Sequence, residues 1–387
     1  MHISLDSALG RQRRLNSVGE SVLQIAPNAA AAYSLRSLTG GDPKVVRVRR
    51  DVDNTEQDFT ASGISSGALV DFATSGNGVF ANTGYESFTN ASASGFTASN
   101  TGSTGFAVSD ILDGVSGDSV SVSFDIDITN GSPGISLRTA LNGGSTASNG
   151  IVYTTSGSKT ATLTGNKGYV GVGFTEGDAP SNFTVSNFKV LGNGFVETWY
   201  DQSGNSEDAV QETAGSQPKI VNAGSLVVLS NVPALLFDGS FFAATGFAFS
   251  PSGDFLAVTV SKISTGNLID TRDGGSDGFF IQQGGSDFRY RYNGDGSIDI
   301  SGNDQHIVAT AELNGTTLTA YKNSSSAGTD TVTAGLSTTT ALSIGKVAFS
   351  SANAVSGSVQ EIILYDTDKS ANRATLETDI ISHYGIS

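Results

Sequence analysis

Cysteine is absent from the 387 residues. That removes disulfide frameworks, thiolate nucleophiles and cysteine-based zinc sites, and it leaves the redox compartment open. Proline occurs only 7 times, and tryptophan and methionine once each. Glu, Lys, Gln and Met, the strong helix formers, are sparse, so long helices are not expected to dominate. No run of about 18 apolar residues occurs, so membrane insertion through a spanning helix is not expected. The opening MHISLDSALGRQRRLNSVGE has no apolar signal core, and export by that route is not expected. Basic residues are few: 21 Lys and Arg stand against 37 Asp and Glu, a formal charge of −16. Such a chain repels phosphate backbones, which argues against nucleic acid as a partner. Cations, sugars and basic protein surfaces remain open. The three histidines, His2, His306 and His383, are far apart and show no zinc spacing. No triad, phosphate loop or dinucleotide fingerprint is present.

What the chain does hold is glycine, 48 of them, with abundant Ser, Thr, Asn and Asp. That mixture suits short strands joined by tight turns, because Gly, Asn and Asp tolerate positive φ. KVVRVRRDVDNTEQDF (44–59) alternates Val46 and Val48 with Arg47 and Arg49, a strand with one apolar face. Arg50 can pair with Asp51, Asp53 or Asp58 in the turn that follows. SSGALVDFA (65–73) reads as a short helix. SGNGVF (75–80) recurs as LGNGFV (191–196), and between the copies lies a self-contained β-rich run. Clean two-residue alternation marks DSVSVSFDIDI (118–128) and GYVGVGF (168–174), and NFTVSNFKVL (182–191) closes the run. This pattern predicts a second β-domain placed in a loop of the first, where insertions are tolerated. Many further strand candidates follow Phe195, among them DFLAVTVSKI (254–263), GFFIQQ (278–283) and GSVQEIILY (357–365). One helix is expected at the C-terminus, with Ser370 as N-cap, a stripe of Leu376, Ile380, Ile381 and Tyr384, and Gly385 as its stop.

ETWYDQSGNSEDAVQ (197–211) holds the one tryptophan. Two readings stand. Asp201 and Gln202 can bind the backbone of the turn Ser203, Gly204, Asn205 and fix a corner. Alternatively Trp199 or Tyr200 offers a stacking platform for a sugar. Tyr85, Phe88, Phe96 and Tyr153 are further candidates for lining a glycan groove, against the plainer reading that they fill a core. DTRDGGSD (270–277) and NGDGSID (293–299) place Asp270, Asp273, Asp277 and Asp295 in Gly-rich loops, a candidate Ca²⁺ site or a pair of solvated turns. No cofactor is otherwise indicated. Residues 1–30 carry Arg11, Arg13 and Arg14 in an acidic chain. They read either as a frayed tail or as an arm that docks on an acidic partner.

AYSLRSL (32–38), VVRVRRDVDNTEQDF (45–59), GFVETWYDQSGNSEDAVQ (194–211) and PALLFDG (233–239) together resemble the catalytic-domain family of α-L-arabinofuranosidase B. HIVATAELNGTTLTAYKN and LSIGKVAFSSANAVSGSVQEIILYD also resemble the laminin G-like branch of the same superfold. The resemblance implies an all-β, concanavalin A-like jelly-roll sandwich over 31–74 and 191–387. A second sandwich, resembling carbohydrate-binding modules, is then inserted at 75–190, with a short arm at 1–30 and one C-terminal helix. Family members with such an arm are similar to virion proteins of tailed bacteriophages. Glycoside hydrolysis needs two flanking carboxyl groups. The family's nucleophile strand falls on GFFIQQ at Phe279 or Phe280, and its acid/base position on Lys346 or Val347, so neither match is acidic. The fungal members' vicinal disulfide has no counterpart in a chain without cysteine. The expectation is therefore a non-enzymatic virion protein that docks on other virion proteins through its arm. It forms a homo-oligomer, with a trimer favoured, and contacts host glycans. The alternatives are an active glycosidase and a purely architectural cement protein.

Overall fold

The computed structural model describes residues 20–75, 79–82, 85, 87–100, 105–110, 119–130, 135–140, 151–164, 171–176, 181–249, 253–272, 278–292, 295–302, 304–332, 339–350 and 352–387. The protein is an all-β sandwich with one C-terminal helix, Ser370–Tyr384. Two compact units divide the chain. The first takes in the described residues up to Val45, Tyr200–Ala209 and Ala243–Ser387. The second holds Val46–Trp199 and Val210–Phe242.

The first unit is organised by one long strand, Phe255–Asp270, FLAVTVSKISTGNLID. Its first half, FLAVTVSK, carries Phe, Val and Thr, residue types that suit a pleated, buried surface. It pairs antiparallel with Ile307–Asn314 on one side and Ser356–Tyr365 on the other. Strand β1 (Ala31–Ser34) adds to Ser356–Tyr365, with Ala31 opposite Leu364 and Ser34 opposite Glu361. Past Ile263 the long strand turns out of the expected 254–263 range and continues to Asp270, where it meets Phe279–Gly284. Gly266 makes that possible. Its φ is +101°, and a Cβ there would lie 2.4 Å from the Ala354 carbonyl oxygen.

The C-terminal helix buries Leu376, Glu377, Ile380 and Tyr384 and ends at Gly385 with φ +61°. Ser370 is the first helical residue rather than the cap. The Asp368 carboxylate accepts its N–H at 2.8 Å. Helix, β1 and Ser356–Tyr365 converge on one buried carboxylate. Glu361 is 1 % exposed and takes Arg36 Nε at 2.8 Å and Nη2 at 3.1 Å. Ser34 Oγ at 2.8 Å and Tyr384 OH at 2.9 Å also donate to it. Burial alone would raise its pKa, but Arg36 and the two hydroxyls outweigh that and hold it below the usual 4.5.

This arrangement fixes a sign. A carboxyl whose folded pKa lies below its unfolded value stabilises fully above the unfolded value, and loses that contribution as pH falls through the folded one. Glu361→Gln leaves the Arg36 guanidinium with only the more exposed Asp379 as charge partner and is expected to cost about 3 kcal/mol at pH 7. Below a pH of about 4.5 the gap between the two proteins should narrow. Urea unfolding at pH 7 and at acid pH checks both parts.

In the second unit, β2 (Lys44–Arg50) is followed by β3 (Glu56–Thr60) and two short helices, Ala61–Ser65 and Ala68–Ala73, where a single helix over 65–73 is expected. Gly67, at φ +88°, separates them. Arg50 pairs with Asp53 at 2.6 Å, and Asp58 instead takes Arg47 at 2.8 Å. The next ten strands are β4 (Ala81–Asn82), β5 (Ser87–Ser92), β6 (Gly95–Asn100), β7 (Phe106–Asp110), β8 (Ser119–Asn130), β9 (Ile135–Ala140), β10 (Ile151–Tyr153), β11 (Gly157–Thr164), β12 (Gly171–Glu176) and β13 (Ser181–Val190). They form two five-stranded antiparallel sheets, in the orders β11-β8-β13-β6-β5 and β10-β9-β12-β7-β4. Their core is aromatic: Phe80, Phe96, Phe124, Phe174, Phe183 and Phe188 are all buried. Phe80 meets Phe188 edge-on at 5.1 Å, and Phe124 meets Phe174 the same way at 5.1 Å, the geometry ring quadrupoles favour. The sheets draw only on residues 81–190, whereas the compact unit also takes in the strands on either side. Among those, β14 (Gly194–Trp199) pairs with β2, Gly194 opposite Arg50 and Trp199 opposite Val46.

Candidate functional site

Strand β8 carries SVSVSFDIDITN. Successive side chains point to opposite faces of a sheet, and the burial follows. Val122, Phe124 and Ile126 are buried, Ser121, Ser123 and Asp125 are half-buried, and Asp127 is exposed. Opposed residues on neighbouring strands share a face. Thr162, Thr160 and Ser158 of β11 lie opposite Ser121, Ser123 and Asp125. Lys189 of β13 lies opposite Ser123, and Thr184 opposite Asp127. The outer face of this sheet is therefore a field of short polar side chains.

A bulge adds one feature to that field. Pairing between β13 and β8 shifts between Ser186 and Lys189, and Asn187 adopts φ +51°. A bulge of this kind redirects a side chain within a regular ladder. Asn187 Nδ2 donates to Asp125 Oδ2 at 2.7 Å, and Ser158 Oγ donates to Asp125 Oδ1 at 2.5 Å. Those two bonds hold the Asp125 carboxyl below the usual carboxylate range. Around it opens a groove of about 490 Å³ lined by Ser123, Asp125, Ser158, Thr160, Asn187 and Lys189. Lys189 Nζ reaches Asp71 at 3.6 Å with both side chains largely in water. An ionised carboxylate with fixed orientation and spare lone pairs accepts hydroxyl donors, while the amide, hydroxyls and ammonium nearby supply donors. Asp125 is the one acid among the described residues lining the groove.

The aromatic candidates fall differently from expectation. Trp199 is fully buried, its ring 6.1 Å from Phe242, and presents no face to a ligand. Tyr85 is 4 % exposed, edge-on to Phe183 at 5.7 Å, and belongs to the second unit's core with Phe96. Both depart from the sugar-platform reading because apolar rings in these sheets gain more from burial than from exposure. Tyr200 is half-buried. Tyr153 packs edge-on against Phe124 at 5.4 Å, and Lys159, at the groove, holds its ammonium 5.9 Å from the ring centre. Tyr153 packs against the aromatic core, and none of the four lines the groove.

The DQSGN stretch forms a corner in the first unit. Asp201 Oδ1 accepts from the N–H of Ala32 at 2.8 Å and of Ser203 at 2.9 Å. Its Oδ2 accepts from Ser203 Oγ at 2.6 Å and Glu207 N–H at 3.2 Å. Gln202 Oε1 accepts from Leu38 N–H at 2.8 Å, and its amide donates to the Ser34 and Arg36 carbonyls. Asn205 donates to Ala29 and Ala30, and Gly204 turns the chain at φ +94°.

Asp270 departs from the Ca²⁺ reading. It is fully buried, and Arg272 reaches its Oδ1 at 3.0 Å and its Oδ2 at 2.5 Å, so its charge is already matched. Asp295 is exposed in a turn, its N–H bound to the Tyr292 carbonyl. Asp273, Asp277, Arg11, Arg13 and Arg14 lie outside the described residues. Phe279 and Val347 are buried, and Phe280 lies beneath the Arg272 guanidinium at 3.9 Å.

No family model matches the chain, and no curated protein matches it. Among solved structures, a botulinum neurotoxin serotype D binding domain overlaps with a TM-score of 0.33 at 8 % identity, over 45 % of this chain and 50 % of that one. Trypanosoma rangeli sialidase in complex with the inhibitor DANA overlaps with a TM-score of 0.33 at 15 % identity, over 48 % of this chain and 32 % of that one. The chain thus spans half or less of the length of these structures.

Sequence reasoning missed Asp125, Ser158 and Asn187. The alternation in DSVSVSFDIDI was the available signal, since it sets Ser123 and Asp125 on the polar face. Nothing in the letters marks the bulge that brings Asn187 to them. For the corner, Asp201→Ala removes one carboxylate that satisfies three backbone N–H groups and is expected to lower unfolding free energy by about 2–4 kcal/mol. A shift in urea midpoint with unchanged slope checks it.

Proposed function

We propose that this protein is a non-catalytic, glycan-contacting component of a tailed-phage particle, and that the outer face of the β11-β8-β13 sheet is its sugar-binding surface. The observation that carries the binding reading is the Asp125 carboxylate, oriented by Ser158 and Asn187 at the floor of an open groove. Sugars present paired hydroxyls, and a fixed carboxylate beside an amide and an ammonium matches that pattern of donors and acceptors. The groove is shallow and polar, so single-site affinity is weak and repeated copies on a particle supply avidity. The particle role is supported by the resemblance to arabinofuranosidase-B-like phage proteins, and the basic segment with Arg11, Arg13 and Arg14 is the docking arm to other virion proteins.

Two experiments test this. A glycan array with the purified chain should give hits, and Asp125→Ala should weaken the best of them about tenfold, the value of one to two charged hydrogen bonds. A blank array, or equal binding by the variant, sinks the assignment of the groove, and release of arabinose from an aryl arabinofuranoside sinks the non-catalytic reading. Removing residues 1–19, which carry the three arginines but stop short of the buried Val22, Ala26 and Ala29, should leave a folded protein that no longer assembles onto particles in a co-expression assay. Normal incorporation would dismiss the arm.

A further inference from the structure

The four edge strands of the second unit's sandwich are not alike. β4 has 2 residues and β10 has 3, too short to recruit a partner strand. β5 is interrupted: its pairing with β6 shifts between Thr89 and Ser92, and Asn90 sits at φ +56°. Short length and bulges are the devices by which natural sheets blunt their edges. β11 has neither. It runs 8 residues, Gly157–Thr164, in unbroken register with β8, from Gly157 opposite Ile126 to Thr164 opposite Ser119. Among the described residues no strand lies on its other side. Its sequence, GSKTATLT, contains no proline, no acid and a single Lys.

We propose that β11 is an interface between two copies of this chain, which pair edge to edge, antiparallel, about a twofold axis. Three observations select a second copy over an unrelated strand. The first is charge. In a chain of net charge −16, two copies meet with least repulsion along an acid-free strand. The second is self-complementarity. An axis through Ala161 sets Thr160 of one copy beside Thr162 of the other. Both are exposed on the polar face, and cross-strand Thr pairs are favourable. The third is the flank. The chain passes from β10 to β11 through residues 154–156 alone, so both edges lie on one side of the sandwich, and Ile151 and Val152 of β10 are 37 % and 57 % exposed there. An isologous contact of this kind closes on itself. It produces a dimer rather than the trimer expected from the sequence, with a continuous ten-stranded sheet across the axis.

Sedimentation of the full chain over a micromolar to hundred-micromolar range tests the idea. The expected mass at the upper end is twice 39.6 kDa. Thr160→Lys with Thr162→Lys sets like charges opposite each other across the axis while leaving the buried face untouched, and this variant should sediment at 39.6 kDa throughout. Amide exchange gives a second readout. The outward amides of 157–164 should exchange at least about tenfold more slowly in concentrated than in dilute wild-type protein. A wild-type monomer at the highest concentration, a trimer mass, a variant as dimeric as wild type, or exchange independent of concentration would each overturn the proposal.

Discussion

A pleated strand in a sheet covered on one face alone hides only alternate side chains, and β8 of the second unit is built on that restriction. Along β8 the inner set, Val122, Phe124 and Ile126, joins an aromatic core. The outer set, Ser121, Ser123, Asp125 and Asp127, is left for water or a ligand. One strand thus specifies both what holds the sandwich together and what its surface offers. A slip of one residue against β11 or β13 would exchange the two sets. The groove around Asp125 therefore depends on the register of its neighbours as much as on its own lining.

Asp125 is set differently from three carboxylates of the first unit. In the first unit Glu361, Asp270 and Asp201 are enclosed and matched, by Arg36, by Arg272 and by backbone N–H groups respectively. Their hydrogen-bonding capacity is taken up by the scaffold. Asp125 has two protein donors and faces open solvent. That contrast separates structural acids from a candidate site more sharply than composition does.

The all-β class, the strands and the C-terminal helix were legible in the letters, because alternation over DSVSVSFDIDI and the Leu376, Ile380, Tyr384 stripe are local signals with fixed periods. At the corner only the Asp201 bonds to Ser203 follow from neighbours in sequence; Gln202, expected at the same turn, instead reaches Leu38, Ser34 and Arg36 far along the chain. What escaped was non-local. Whether Trp199 or Tyr85 faces solvent depends on Phe242 and Phe183, residues far along the chain. Asp270 looked like one acid of a loop cluster until the strand was seen to continue past Gly266 and bury it. Asn187 belongs to the site only through a bulge, whose position no propensity encodes.

The pairing of β1 with Ser356–Tyr365 joins Ala31 to Leu364, nearly the whole length of the polypeptide apart. During synthesis the first unit's sheet therefore waits for its partner until the ribosome has added more than three hundred further residues, on the order of tens of seconds at ordinary elongation rates. The two five-stranded sheets of residues 81–190 face no such delay. The emerging chain carries a finished sandwich while the strands that precede it still lack their neighbours, and in that interval the four buried residues of β1 stay open to water.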